Sequence, residues 1–133
     1  MGQWFCGVAV NQPISIPIKP MTVNSAWKGK RYKTDAYKRY EHDVLLLLPR
    51  AIIPEGCLRL CIEAGFSNKQ ADIDNVAKPF IDILQKKYGF NDCQIYELNL
   101  NKQIVDKGKE YIRFRIDALE KVKSLINRRQ ENV

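Results

Sequence analysis

The stretch that decides the fold is Leu58-Arg59-Leu60-Cys61-Ile62-Glu63-Ala64-Gly65-Phe66. Its apolar residues occupy every second position, which is the period of a β-strand with one buried and one solvated face. Apolar residues recur at helical spacing on both sides of it, over residues 34–48 and 75–87. Pro49 follows the first of these segments and Gly89 the second, and both residues commonly end helices. The sequence therefore predicts a strand flanked by two helices.

Further strands and one more helix are predicted from the same two periods: strands over Trp4–Val10, Ile14–Ile18, Ile95–Ile104 and Tyr111–Ile116, and a helix over Ala118–Ile126. Pro17 predicts that the second of these strands is an edge strand or contains a bulge, because proline lacks the backbone amide. Residues 20–33 are predicted to be a loop. The order β-β-α-β-α-β-β-α predicts an α+β fold, a single domain with a mixed or antiparallel sheet packed by two to three helices. This domain spans residues 1–133, and residues 1–12 are an N-terminal addition of unassigned role.

The composition favours a polyanionic partner. The 133 residues include 22 lysines and arginines against 15 acidic residues, a net charge of +7, and each phosphate that is neutralised releases counterions. The longest uninterrupted apolar run, Val44–Leu48, is far shorter than the roughly 20 residues of a membrane helix. No basic segment followed by an apolar stretch marks a secretory signal. We therefore expect a cytoplasmic protein that does not enter a membrane.

The cysteines do not form a recognisable metal-binding motif. There are four of them with a single histidine, His42, and no Cys-x-x-Cys pair. A zinc site from Cys57, Cys61, Cys93 and His42 is arithmetically possible. Cys57 and Cys61 flank and enter the alternating apolar stretch, however, where a free cysteine usually packs as a small core residue. Core packing is the favoured interpretation.

Two short segments carry residues suited to catalysis: Asp72-Ile73-Asp74-Asn75-Val76-Ala77-Lys78 and Asn91-Asp92-Cys93-Gln94-Ile95. Asp72 and Asp74 are two residues apart, so in extended backbone both side chains point the same way. Lys78 lies one helical turn beyond Asp74. Asp92 follows the second predicted helix, and we expect the next strand to bring it back beside the other two carboxylates.

Clustered carboxylates require compensation, because two unit charges 4 Å apart repel by about 4 kcal/mol at an effective dielectric constant near 20. A bound metal, raised pKa values or neighbouring cations would provide it. Carboxylate oxygens suit Mg²⁺ or Mn²⁺, which polarise a phosphodiester and generate a nucleophile from water. The alternative is purely structural. In that interpretation Asp72 and Asp74 cap the helix and complement its dipole, Lys78 pairs with Asp82 on the surface, and Asp92 belongs to a turn.

A basic segment with interleaved aromatic residues precedes and enters the first helix. Its cations are Lys28, Lys30, Arg31, Lys33, Lys38 and Arg39, and its aromatic residues are Trp27, Tyr32 and Tyr37. Cations beside aromatic rings suit phosphate contacts and stacking on unpaired bases, so this segment is the predicted DNA-binding surface. The alternative is a solvated loop whose aromatic residues pack into the core. A further basic group at a predicted hairpin tip is also expected to touch DNA: Lys102, Lys107 and Lys109.

The same residues resemble the signature of the RusA family of Holliday junction resolvases. The resemblance is carried by Asp72-Ile73-Asp74-Asn75, Lys78, Asp82 and Asn91-Asp92-x-Gln94-Ile95, and upstream by Lys19-Pro20, Asn24, Trp27, Lys30, Arg31 and Tyr37. It runs from about Ile14 to Ile116. Asn91 departs from the family pattern, because an acidic residue often stands before the third aspartate.

The resemblance implies a homodimeric endonuclease of RusA-like fold. Such an enzyme makes paired nicks across four-way junction DNA with Mg²⁺ or Mn²⁺, in DNA recombination and repair. It implies that Asp72, Asp74 and Asp92 bind the metal and that Lys78 assists at the phosphate, so all four residues are candidate catalytic residues. Two other functions stay open: a non-catalytic DNA-binding module, and a nuclease of the same fold that acts on forks or flaps.

Overall fold

The computed structural model describes residues 8–9, 12–21, 27–28 and 32–119. In this part of the chain the helices are α1 (Asp35–Leu47) and α2 (Asp74–Tyr88), and a 3-10 turn covers Asp92–Gln94. The strands are β1 (Val8–Ala9), β2 (Ile14–Ile16), β3 (Trp27–Lys28), β4 (Tyr32–Lys33), β5 (Ala51–Ile52), β6 (Leu58–Phe66), β7 (Ile95–Ile104) and β8 (Tyr111–Ala118). This combination of elements confirms the predicted α+β class.

A four-stranded mixed sheet with the strand order β2-β8-β6-β7 forms the centre of the fold. β6, the strand predicted from the alternating stretch, is antiparallel to β8 and parallel to β7. A parallel pair needs a crossover connection, and α2 lies in it, between β6 and β7. β2 is an edge strand, in agreement with the prediction from Pro17. Because β6 and β7 are parallel, both strands finish at the same end of the sheet. The loop that leaves β6 therefore lies near the last residues of β7.

Both helices contribute to the core on one face of this sheet. The sheet's share of the core is every second residue of β2, β6 and β8, all of them buried: Ile14, Ile16, Leu58, Leu60, Ile62, Ala64, Phe66, Ile112, Phe114 and Ile116. Tyr37 of α1 and Phe80 of α2 join them in one apolar cluster. The rings of Phe80 and Phe114 meet edge to face with their centroids 5.5 Å apart, a favourable aromatic geometry. Burial on this face fixes the position of α2 and hence of the residues at its two ends.

Local signals set the ends of the helices. Thr34 is the N-cap of α1, as predicted, and its Oγ1 accepts a hydrogen bond from the amide of Tyr37 at 3.1 Å. Gly89 ends α2 with φ at 78°, a left-handed conformation that glycine adopts without steric cost. The Tyr88 hydroxyl donates to the carbonyl of Pro49 at 2.7 Å, which fastens the end of α2 to the segment that follows α1.

The structure departs from the sequence-based predictions in the outer elements. Ala118 ends β8, paired with Leu58, where the sequence predicts the start of a helix; the ladder with β6 outweighs the local helical pattern. β3 and β4 form an antiparallel pair inside the segment predicted to be a loop. The other residues of the predicted N-terminal strand and most of the predicted C-terminal helix lie outside the described residues. Within the described ranges, no helix is long and apolar enough to cross a membrane.

Candidate active site

Asp72 and Asp74 stand where the loop after β6 passes into α2. Asp72 lies in the loop and Asp74 is the first residue of the helix, on either side of the N-cap residue Ile73. Ile73 already has helical dihedral angles, φ −66° and ψ −36°, and its side chain caps no amide of the first turn. Neither aspartate makes a capping hydrogen bond in the described part of the chain. The capping part of the structural interpretation is therefore not supported by the geometry, whereas the position of Asp74 in the first turn agrees with the dipole part.

Both carboxylates are exposed, and no residue in the described ranges engages them by a hydrogen bond or an ion pair. Asp74 lies at the positive end of the α2 dipole, which favours a negative charge there. Mg²⁺ is commonly held by only one or two carboxylates, while water and substrate phosphate complete its coordination. Asp72 and Asp74 therefore have the oxygen ligands that a divalent cation requires, and both carboxylates are accessible to one.

Asp92 opens the 3-10 turn that follows α2. Its backbone amide donates to Oε1 of Gln85 at 2.9 Å, which docks the turn against the helix. The side chains of Asn91 and Gln94 each accept a hydrogen bond from a backbone amide of the turn, forming a capping box. Gln94 also donates from Nε2 to the carbonyl of Gly56 at 3.0 Å. These two motif residues thus form the framework that presents Asp92, and the amide side chain of Asn91 serves that purpose without an acidic group.

Lys78 lies beside Asp92. Its Nζ is 3.1 Å from Oδ1 of Asp82, one turn along α2, and 4.0 Å from Oδ2 of Asp92. The surface pair of Lys78 and Asp82 considered from the sequence is therefore present. Lys78 and Asp92 are 60% and 48% exposed, so these contacts contribute little to stability. Their main effect is to orient the ammonium group, because carboxylates on two sides hold it near Asp92.

Asp92 approaches α2 at two points. Its backbone amide donates to the side chain of Gln85, and its Oδ2 lies 4.0 Å from Nζ of Lys78, the residue one turn beyond Asp74. Among the residues that the structure describes, no group of three or more His, Cys, Asp or Glu side chains is placed to hold a metal ion. The three carboxylates are therefore not assembled into a metal site in this structure, and the role of Asp92 as a metal ligand stays a prediction. The same finding leaves the zinc alternative without support among the described cysteines.

The predicted DNA-binding residues fall into three groups. Lys38 and Arg39 are exposed on α1. Lys28 and Lys33 belong to the β3–β4 pair. Lys30 and Arg31 lie outside the described residues. Arg39 and Lys19 border an apolar groove of about 950 Å³ between the segment after β2, α1 and the loop that follows β6. Ala71, the neighbour of Asp72, also lines this groove. Arg39 therefore shares a surface with the loop that carries the first carboxylate.

Comparison with known proteins bears on the family of this chain. A family model described as Endodeoxyribonuclease RusA matches residues 16–115. This range is most of the chain, and it contains both helices, the strands β6 and β7 and four candidate catalytic residues: Asp72, Asp74, Lys78 and Asp92. A search of curated proteins found no match.

Proposed function

Because the chain belongs to the RusA endodeoxyribonuclease family, we propose that it cuts four-way (Holliday) DNA junctions by paired, metal-dependent phosphodiester hydrolysis in recombination and repair. The observation that carries this proposal is the pair Asp72 and Asp74, two exposed carboxylates without a partner in the described ranges, in a protein of net charge +7. A protein that only binds DNA gains nothing from such a pair, since both groups repel phosphate. The proposed catalytic unit is one domain, residues 1–133, acting in the cytoplasm.

We assign Mg²⁺ or Mn²⁺ to Asp72 and Asp74, with Asp92 as the third ligand that the family resemblance implies. When bound, the ion supplies Lewis acidity at the scissile phosphate and activates water. The protein's own contribution is to hold the carboxylates. The start of α2 presents Asp74, and the capping box around Asp92 holds its backbone against the same helix.

We assign Lys78 the role of electrostatic catalyst. Its ammonium group is held by Asp82 at 3.1 Å and yet is largely exposed, so it is both oriented and open to a phosphate. A cation fixed before the reaction stabilises the charge that develops on the phosphoryl oxygens. DNA binding is assigned by charge to the basic residues predicted from the sequence: Lys28, Lys30, Arg31, Lys33, Lys38 and Arg39.

We also propose that the protein is a homodimer that pairs through β7. β7 is one of the two outer strands of the four-stranded sheet, and its outer edge pairs with no strand among the described residues. An unpaired strand edge readily accepts another strand. Leu98 and Ile104 on this strand are 41% and 47% exposed, and Leu100 between them is half-buried. A specific interface buries roughly 800 Å² on each partner, and exposed apolar residues on a long edge strand are suited to supply its centre.

The proposed function is tested by incubating the protein with a labelled four-way junction, with and without Mg²⁺, and mapping the cuts. A linear duplex, a fork and a flap with the same arm sequences are the matched controls. We expect Mg²⁺-dependent cuts placed symmetrically about the junction centre. Tight binding without cleavage in any metal would favour the non-catalytic module, and faster cleavage of forks or flaps would favour the alternative substrate.

Lys78→Met should bind the junction nearly as well as the wild type but cut it about 10² to 10³ times more slowly, the usual effect of removing one positioned electrostatic donor. The measurement is the single-turnover cleavage rate on saturated junction. Lys86→Met is the matched control, because Lys86 lies on the same helix, is 54% exposed and also pairs with a carboxylate, that of Glu41 at 3.2 Å. An unchanged rate together with weaker binding would make Lys78 an ordinary phosphate contact.

A further inference from the structure

Lys102 is tied to the loop that leads to the candidate metal ligands. It lies near the end of β7, at the end of the sheet where β6 also finishes. Its Nζ donates hydrogen bonds to the carbonyl oxygens of Lys69 and Ala71, at 2.6 and 2.5 Å. Ala71 is the residue immediately before Asp72. A side chain from a distant strand therefore holds the backbone next to the first carboxylate.

The ammonium group of Lys102 has little capacity left for a phosphate. A lysine has three donors, and two of them are used by loop carbonyls. The side chain is half-buried, with its Nζ 5.8 Å from the centroid of the Phe66 ring. Lys107 and Lys109, by contrast, are exposed in the turn between β7 and β8. The DNA contact predicted for Lys102 from the sequence is therefore not supported.

The same loop is also fastened at its other end. The Ser67 hydroxyl donates to Oε2 of Glu110 at 2.8 Å, and this hydrogen bond holds the pKa of Glu110 below its ordinary value. Inside the loop, Asn68 accepts hydrogen bonds from the amides of Gln70 and Ala71, at 2.9 and 3.3 Å. The loop is thus bound at both ends, and Lys102 makes the attachment nearest to the carboxylates.

We propose that Lys102 is a positioning residue of the active site, whose ammonium group clamps the carbonyls of Lys69 and Ala71 and so fixes Asp72 and the start of α2 for a divalent cation. This inference rests on the proposed nuclease function. Asp72 and Asp74 have no partner of their own within the described ranges, so their placement depends on the backbone that carries them. Groups that do not touch the metal but hold its ligands in place commonly control metal affinity.

The test compares the full-length wild type with Lys102→Met, Lys102→Arg and Lys107→Met. Methionine keeps an unbranched, flexible stem and removes the charge, whereas arginine keeps donors in case the methionine variant does not fold. Lys107→Met removes the same charge from the exposed turn. The first readout is Mn²⁺ affinity of the DNA-free protein, measured by electron paramagnetic resonance. The second is amide exchange in the loop after β6, and the third combines the single-turnover cleavage rate with the salt dependence of junction binding.

Lys102→Met should weaken Mn²⁺ binding and slow cleavage by about 10- to 100-fold each, the usual effect of removing a group that orients metal ligands. Exchange at the amides of Gln70 and Ala71 should accelerate, because the backbone around them is released. The salt dependence of junction binding should equal that of the wild type, because no phosphate contact is lost. Lys102→Arg should lie between Lys102→Met and the wild type, and Lys107→Met should match the wild type in metal affinity and exchange.

The outcomes separate this inference from the function on which it rests. Normal Mn²⁺ affinity in a folded Lys102→Met protein, beside a wild type that binds Mn²⁺ and cuts junctions, would overturn the clamp alone. A salt slope smaller by about 0.9, the value for one lost phosphate contact on duplex DNA, with unchanged metal affinity would make Lys102 a DNA contact and overturn it as well. A wild type that neither binds Mn²⁺ nor cuts would overturn the proposed function and the clamp with it.

Discussion

Asp74→Asn is expected to abolish junction cleavage while junction binding stays intact or becomes tighter. The substitution removes one negative charge and one metal ligand but changes almost no volume. Loss of the ion should cost several kcal/mol of transition-state stabilisation, which is on the order of a 10³-fold decrease in rate or more. Binding should not fall, since the lost charge no longer repels the phosphates.

The measurement is a single-turnover cleavage assay on a labelled junction, with binding followed by gel shift in Ca²⁺ or without a divalent ion. Asp106→Asn is the matched control, because it makes the same chemical change at an aspartate whose side chain is 87% exposed in the turn between β7 and β8. We expect the control to cut at the wild-type rate. Cleavage by Asp74→Asn within a few-fold of wild type would show that the metal-site assignment is wrong.

Asp72→Asn and Asp92→Asn belong in the same experiment, because Asp92 contacts Lys78 and, among the described residues, the three carboxylates do not form a metal-holding group. If all three aspartates bind the ion, the three variants should lose cleavage and Mn²⁺ affinity together. A loss of cleavage in Asp92→Asn with normal Mn²⁺ affinity would instead assign Asp92 to orienting Lys78, whose Nζ lies 4.0 Å from its Oδ2. The comparison therefore decides between two roles for Asp92.

The elements that the sequence predicts well are those with strong local signals. β6 has a two-residue apolar period, α1 begins at the N-cap Thr34, and α2 ends at Gly89, so periodicity and capping were sufficient. In each case the deciding interaction is made by residues close together in sequence or by a uniform burial of one face. The sequence did not decide between a mixed and an antiparallel sheet, because the parallel pairing of β6 and β7 depends on how α2 packs.

The parts of the candidate site that the sequence does not reveal depend on long-range contacts. In the sequence, Lys102 is one of several basic residues near a predicted hairpin tip. Its hydrogen-bond partners lie more than 30 positions earlier in the chain. Gln85 is an ordinary polar residue of α2 until the turn at Asp92 docks on it. The motif residue Asn91 is informative in the sequence, but its capping role is visible only in the structure. Residue type alone does not distinguish a catalytic group from one that supports its neighbour's backbone.

A dimer that contains one wild-type and one Asp74→Asn subunit is expected to make one nick in each junction it binds. Resolution needs two nicks in strands of matching polarity, placed symmetrically about the crossover. One active site per subunit and a two-fold substrate are matched most simply by a C₂ dimer, in which one self-complementary interface sets the two sites on opposed strands. Inactivating one site should therefore stop the second nick without changing how the dimer binds.

Mixed dimers are obtained by co-expressing the two subunits with different affinity tags and purifying through both tags. Wild-type and Asp74→Asn homodimers that carry the same two tags are the controls. The substrate is a supercoiled plasmid that extrudes a cruciform, because one nick relaxes it to an open circle whereas two paired nicks make it linear. The wild-type homodimer should yield linear DNA, the mixed dimer open circles, and the variant homodimer neither.

The plasmid assay also distinguishes the dimer from the main alternative, a monomer that cuts, dissociates and rebinds in the opposite orientation. A single nick relaxes the supercoiling that holds the cruciform open, so the junction is reabsorbed before the enzyme can bind it again. A monomer that has to rebind would therefore yield open circles even when its own active site is intact. Linear product from the wild type therefore requires two active sites in one binding event. Linear product from the mixed dimer would exclude the paired-site mechanism. A wild type that sedimented as a monomer on a junction would exclude the dimer itself, and β7 would then lose its proposed role as an interface.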